Sequence, residues 1–262
     1  MDNNRAVRGM KIPLIFYDFY CFLVHKILDL NSMIIAIILA RGGSKRIPHK
    51  NIVNFCDKPL LAWTIEQAKD SKQIENVYVS TDDDKIKKVA EKYGAEVIDR
   101  PKAISGDHAT SEDALKHAID TIGGNTNKKI DFVVFLQPTS PLRETKDIDN
   151  AIQTIKEKKA DSLFSSGKLG DFYIWKNYKG KFTSLNYNYK NRKRSQEFGE
   201  QFVENGSIYV FKPEVLYSNN RLGGKIAISI MDFWKSFEID RKEDLEFCED
   251  IFKLKKLNRK RK

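Results

Sequence analysis

The sequence predicts an α/β fold built on a doubly wound, mostly parallel sheet, and three features of its 262 residues predict it. Compact apolar runs at residues 34–39 and 132–136 each end in a polar loop, the mark of strands buried on both faces. Segments of helical period lie between the apolar runs. The order strand, helix, strand, helix, strand over residues 34–98 then calls for right-handed crossovers and parallel neighbours.

The first strand, Ile34, Ile35, Ala36, Ile37, Ile38 and Leu39, is rich in β-branched residues and stops at Arg41-Gly42-Gly43-Ser44. The loop after it carries the cations Arg41, Lys45, Arg46 and Lys50. Glycines let backbone N–H groups approach a ligand closely, and cations offset phosphate charge. A strand feeding such a loop at its carboxyl end is where α/β sheets hold nucleotides, although Gly-Gly turns also occur in α/β proteins of other kinds.

A helix follows over residues 59–69, with Leu61, Ile65 and Ala68 on one face, then a strand over 77–80. Thr81-Asp82-Asp83-Asp84 offers caps to a helix over 85–93, in which Ile86, Val89, Ala90 and Tyr93 recur at helical spacing, and Gly94 closes it. Residues 95–98 are the next strand. Arg100-Pro101 opens a polar loop, and Thr110-Ser111-Glu112-Asp113 reads as a capping box for a helix carrying Leu115, Ala118, Ile119 and Ile122. Residues 123–129 link it to the strand 132–136. The loop 137–143, Gln-Pro-Thr-Ser-Pro-Leu-Arg, lies where α/β sheets place ligands. A helix over 147–157 presents Ile148, Ala151, Ile152 and Ile155.

The character changes near residue 161. Residues 172–175, 182–189 and 206–211 are aromatic and strand-like, and they read as a β-rich insertion whose body is residues 165–205. Its basic run 191–194 suits a nucleic-acid surface, a ligand flap or a subunit contact. The chain returns with a strand over 226–231, the segment 236–240, and a helix over 242–254 with Leu245, Cys248, Ile251 and Phe252 apolar.

A net charge of +10 first suggests nucleic acid, but the last ten residues hold seven of those charges, which leaves the rest near +3. A solvated basic tail over 255–262 and an anionic substrate account for the balance. Cys21, Cys56 and Cys248 are odd in number and too widely spaced for zinc, which points to a reducing, cytoplasmic setting. The four histidines show no metal-ligand spacing. Residues 12–30 are apolar but broken by Asp18, His25, Lys26 and Asp29, short of a membrane span. Residues 1–32 are expected to be an extension outside the core domain, residues 33–254.

Five segments, Ala40–Ser44 with Lys50-Asn51, Arg100-Pro101 with Thr110-Ser111, Leu136–Arg143, Glu204–Tyr209, and Ser236–Asp244, resemble the CMP-acylneuraminate synthetases in type and order. These are cytidylyltransferases that activate sialic acids and related nonulosonic acids. The resemblance implies a nucleotidyltransferase sheet of GT-A type with a small β-rich dimerisation insertion, a homodimer, and no nucleic-acid or membrane partner. It implies transfer of CMP from CTP to the sugar acid with release of pyrophosphate, assisted by Mg2+.

Residue by residue, the resemblance gives Ala40, Arg41, Gly42, Gly43, Ser44, Lys50 and Asn51 to the triphosphate end, and Arg100, Ala109 and Ser111 to the cytidine end. Gln137, Thr139 and Ser140 would face the sugar acid, and Arg194 with Gln196 would reach it from a neighbouring subunit. Glu238 and Asp240 would hold the metal, placed on one face of a short strand by alternation. Arg41, Lys50 and Asp240 are the residues expected to carry catalysis. Two departures concern the sugar: Glu238 stands where many members have Asp, and Val203-Glu204 where some sialic acid enzymes have Arg-Pro. A legionaminic-, pseudaminic- or Kdo-type acid is therefore an alternative substrate, and a basic nucleic-acid-binding protein is the alternative from a different class.

Overall fold

The computed structural model describes residues 32–260 apart from residues 171, 195, 196 and 198. The expected extension thus lies outside the described residues except for Ser32, as do Gln196 and the last two residues of the tail.

Strand β1 (Ser32–Leu39) is followed by a short hairpin, β2 (Asn54–Phe55) and β3 (Lys58–Pro59), and by helix α1 (Leu60–Lys69). Then come β4 (Asn76–Thr81), α2 (Asp84–Lys92), β5 (Glu96–Asp99), α3 (Ser111–Gly124), β6 (Lys129–Leu136) and α4 (Thr145–Lys158). The second half contains β7 (Ser162–Lys168), β8 (Trp175–Tyr178), β9 (Lys181–Ser184), β10 (Phe202–Phe211), α5 (Pro213–Leu216), β11 (Ile226–Met231) and α6 (Lys242–Lys260).

Seven strands form one sheet in the order β11-β7-β10-β6-β1-β4-β5. All neighbours are parallel except β10, which runs antiparallel to both β6 and β7. Alternation along β1 sends Ile34, Ala36 and Ile38 to a core covered by α1, α2 and α4. Met33, Ile35 and Ile37 face a second core under α3 and Leu216 of α5. Both faces are covered, as doubly wound sheets require.

Asp83 caps its helix as expected, its Oδ1 accepting from Lys85 N–H at 2.8 Å and Ile86 N–H at 3.1 Å. Only half of the expected capping box at residues 110–113 forms: Thr110 Oγ1 accepts from Asp113 N–H at 3.1 Å, while the Asp113 carboxylate accepts from the Thr110 hydroxyl at 2.7 Å rather than from a backbone N–H. After β1 the chain builds β4 and β5 on one side and then crosses to β6 on the other. The ends of β1 and β6 are therefore a topological switch point, the preferred crevice for a ligand.

Three expectations about strands are corrected. Residues 162–168 form a strand although the sequence signals none, because β7 is serine-rich. Ser162, Ser165 and Ser166 are buried, bonded to Gly223 O (2.8 Å), Asn205 Oδ1 (2.5 Å) and Val203 O (3.0 Å). Residues 206–211 belong to the main sheet as part of β10, whose register with β7 breaks between Glu204 and Tyr209. The hairpin of the insertion is β8–β9 instead, turning at Lys179-Gly180 with φ of 49° and 80°, so its first strand begins at Trp175 rather than ending there.

The third correction concerns Glu238 and Asp240. Residues 233–236 form a 3-10 turn and residues 237–241 belong to no strand. This segment crosses the strand ends with no neighbouring strand to pair with, and Ile239 N–H bonds to Thr139 O at 2.8 Å. A third apolar cluster holds it: Ile239 is buried with Phe55, Leu60, Leu142 and Cys248. Phe252 of α6 meets Trp63 at 4.6 Å and Phe55 at 5.5 Å between ring centroids. Lys235, buried, bonds Asp147 Oδ2 at 2.7 Å and Glu144 Oε2 at 2.8 Å, which fastens the turn to the start of α4.

Candidate active site

At the carboxyl ends of β1, β5 and β6 lies a cleft of about 530 Å³. Arg41, Ser44, Lys45, Arg46, Lys50 and Asn51 line it from the loop after β1, and Arg100, Ala109, Thr110 and Ser111 from beyond β5. Phe135, Gln137 and Thr139 come from the end of β6 and its loop, and Asp240 from the crossing segment.

Most of the sequence-chosen residues are thus brought together. Ala40 is buried in the core beneath the loop. Gly42 and Gly43 sit in the bend, outside the cleft lining. Gly42 N–H donates to Asp82 Oδ1 at 3.0 Å, and a Cβ on Gly42 would stand 2.8 Å from the Asp83 Cβ, so only glycine lets the bend pass so close to that acid. Asn51 is buried, and its Nδ2 donates to Arg41 O at 2.9 Å, which holds the loop shut behind Arg41. Arg100 donates through Nε to Ser80 Oγ at 3.0 Å and through Nη2 to Ser80 O at 2.5 Å. Burial lowers its pKa to about 10, against which Asp82 supports the charge.

Ser140 is fully buried and its Oγ has no partner among the described residues. Arg194 is exposed on the insertion, outside the cleft lining.

The electrostatics divide the cleft into two ends. Lys50 Nζ bonds Asp240 Oδ1 at 2.8 Å, with Arg46 3.5 Å from Oδ2. The Lys50 bond leads the effects that hold the Asp240 carboxyl below its usual range. At the other end Arg41 Nη1 donates to Gly106 O at 2.8 Å and lies 3.5 Å from Asp107, which also pairs with Lys45. Glu238 behaves oppositely to Asp240. Burial, and then the charge of Asp240, raises its pKa, while Lys50 opposes the rise. Gly206, at φ 66°, gives it room: a Cβ there would lie 2.1 Å from Glu238 Oε1. Gly206→Ala is therefore expected to displace the Glu238 carboxylate and strain the backbone by about 1–2 kcal/mol. Thermal melting should fall by about 2–8 °C and turnover should drop; unchanged turnover would remove Glu238 from the reaction.

Sequence reasoning missed several residues. Arg143 is 1% exposed. It donates through Nη1 to Gln137 O and Ser207 O, both at 3.0 Å, and through Nη2 to Thr64 Oγ1 at 2.6 Å. Burial pulls its pKa down to about 9. The arginine ending the 137–143 loop is thus its buried clasp. Beside Phe135, Tyr209 stacks at 5.8 Å between centroids and donates its hydroxyl to Glu204 Oε1 at 2.5 Å. Arg221 lies over the Tyr209 ring at 4.9 Å and donates to Glu112 Oε1 at 2.9 Å. Arg143 and Tyr209 end two of the segments that carry the family resemblance, and Glu204 departs from the family pattern, but none of them had a site role in the sequence. Asp107 gave no signal, because a lone Asp in a polar loop is unremarkable in composition.

The family profile described as Cytidylyltransferase matches residues 35–262. The chain is 36% identical over 209 residues to N-acylneuraminate cytidylyltransferase A of Danio rerio, covering 78% of this chain and 47% of that protein. It spans about half the length of such relatives. It is 31% identical over 229 residues to pseudaminic acid cytidylyltransferase of Campylobacter jejuni, covering 84% of this chain and 96% of that protein. A solved CMP:2-keto-3-deoxy-manno-octonic acid synthetase complexed with CTP shares the fold, with a TM-score of 0.63 at 16% identity over 86% of this chain and all of that one. The doubly wound sheet, the cationic bend after β1 and the match along nearly the whole described chain agree: the chain belongs to the cytidylyltransferase family.

Proposed function

We propose that the protein transfers a cytidylyl group from CTP to a sialic acid or related nonulosonic acid and releases pyrophosphate. The observation that carries this reading is the cleft itself. Five cations and Asp240 meet Gln137 and Thr139 across a space of about 530 Å³ at the sheet's switch point. The names of the relatives support it.

In this reading Arg41, Ser44 and Lys50 hold the triphosphate, with Gly42 and Gly43 shaping the bend and Asn51 fixing Arg41. Arg100, Ala109 and Ser111 border the cytidine, and Gln137 and Thr139 orient the sugar acid. Charge grows on the phosphoryl oxygens as the anomeric hydroxyl attacks, so stationary cations contribute more than covalent chemistry does. Arg194 and Gln196 would come from a second copy. Homodimerisation through the insertion is supported by the exposure of Phe172, Tyr178, Phe182 and Leu185 there, each at least 59% exposed.

Glu238 and Asp240 fit a magnesium ion. They flank the buried Ile239, and burial, then the charge of Asp240, raises the Glu238 pKa; a divalent cation would relieve the second of these. Magnesium takes one or two carboxylates and completes its shell with phosphate and water, so a pair of acids is enough to hold it. When bound, it would neutralise phosphoryl charge beside Lys50.

Among the described residues no helix is long and apolar enough to cross a membrane, and Cys56 and Cys248 are free thiols. A cytoplasmic setting is proposed on that thiol chemistry. Val203-Glu204 and the pseudaminic relative support a substrate other than the common sialic acids. The test is pyrophosphate release with CTP and magnesium against a panel of nonulosonic acids and the octulosonate. Release with at least one nonulosonic acid, and none with CTP alone, is expected. Release with none of the nonulosonic acids would reject the reading, and release with the octulosonate alone would move it to the Kdo type.

A further inference from the structure

The cleft holds two carboxylates that divide its cations. Asp240 pairs with Lys50 and Arg46, and Asp107 pairs with Arg41 and Lys45. Only the first of these acids has a role in the reading above. Asp107 comes from the loop between β5 and α3, which forms the opposite wall from the β1 bend. Its neighbour Gly106 joins the same contact, with its carbonyl accepting from Arg41 Nη1 at 2.8 Å and from Ala109 N–H at 3.2 Å. Two walls that are 65 residues apart in sequence are therefore tied at the mouth by two ion pairs and a hydrogen bond.

We infer that Asp107 is an intramolecular stand-in for the leaving pyrophosphate: it occupies Arg41 and Lys45 in the free protein, yields them to the β- and γ-phosphates, and reclaims them as pyrophosphate departs. This deepens the proposed cytidylyl transfer and rests on it. The division of cations gives the reason. The Asp240 end carries the second acid, Glu238, and so belongs to the reacting phosphorus. Among the described residues that line the cleft, Asp107 is the acid at the Arg41 and Lys45 end, and an end with cations and a single displaceable carboxylate suits the leaving group. The Lys45 hydrogen bond and charge, with Arg41, hold the Asp107 carboxyl below its usual range, so it stays ionised at neutral pH.

The contact is soft enough to exchange. Asp107 and Arg41 side chains are 46% and 37% exposed and Lys45 is 78% exposed. Exposed ion pairs are weak, so losing both changes the affinity of a competing anion by only about three- to tenfold. A ligand without phosphates does not have to break the contact and is indifferent to it.

The experiment is calorimetric titration of the full chain with inorganic pyrophosphate, and separately with cytidine, in magnesium-containing buffer. Asp107→Asn should bind pyrophosphate about three- to tenfold more tightly, with cytidine affinity unchanged and the gain shrinking as salt rises. Asp107→Glu, which keeps the charge, should stay within about twofold of the parent protein. Asp107→Ser gives the same readout as Asp107→Asn if the amide disturbs folding. Unchanged or weaker pyrophosphate binding, or an equal shift for cytidine, would overturn the inference and leave Asp107 as loop support. A protein that does not bind cytidine at all, yet tightens on pyrophosphate, would refute the cytidylyl reading and keep the role of Asp107 as a competing anion.

Discussion

Asp240→Asn is expected to lower kcat about 10²- to 10³-fold while CTP still binds. The substitution keeps the shape of the side chain and removes its charge. Asp240 is a half-exposed acid set beside Lys50 at 2.8 Å and Arg46 at 3.5 Å, at the end proposed to face the reacting phosphorus. An amide there no longer holds a divalent cation well, and it leaves Lys50 without its anion. CTP retains Arg41, Lys45 and the cytidine wall, so binding survives. Single-turnover kinetics beside equilibrium CTP titration separate the two effects. If kcat fell less than tenfold, or if activity persisted in chelator, Asp240 would have no metal role.

Arg143→Leu is expected to destabilise the protein by about 3 kcal/mol. Arg143 is almost fully buried, and its guanidinium satisfies Gln137 O, Ser207 O and Thr64 Oγ1. Leucine fills part of the volume but removes the guanidinium, leaving Gln137 O with only the bond from Ser140 N–H at 3.3 Å and Ser207 O with only that from Gln137 N–H at 3.4 Å. For a domain of this size the melting temperature should fall by about 6–12 °C. The same bonds hold the backbone of Gln137, which lines the cleft, so in the proposed reading the sugar KM should rise more than that for CTP. A melting point within about 2 °C of the parent protein would show that the clasp is dispensable.

The two predictions draw on residues of different legibility. Asp240 entered through the family resemblance of residues 236–244, and its expected strand is instead a crossing segment held by Ile239 and α6. The Arg41 bend was visible because six apolar residues and two glycines state a buried strand and its turn. Arg143 could be read as part of a loop but not as its buried clasp, since arginine is ordinarily exposed and its partners come from residues 64 and 207. Strand β7 escaped notice because buried serines satisfied by Asn205, Val203 and Gly223 look like loop in one dimension. The antiparallel placement of β10 has the same origin. It follows from where the insertion returns the chain, which local patterning does not encode.

The central claim is that the cationic bend after β1 seats the triphosphate and that Asp240 faces the reacting phosphorus. A crystal structure of the protein with CTP and magnesium tests it most directly. The account predicts the triphosphate on Arg41, Ser44 and Lys50, the base against Arg100 to Ser111, and the ion on Asp240. Density for the nucleotide in any other crevice, or a triphosphate pointing away from the bend, would contradict it.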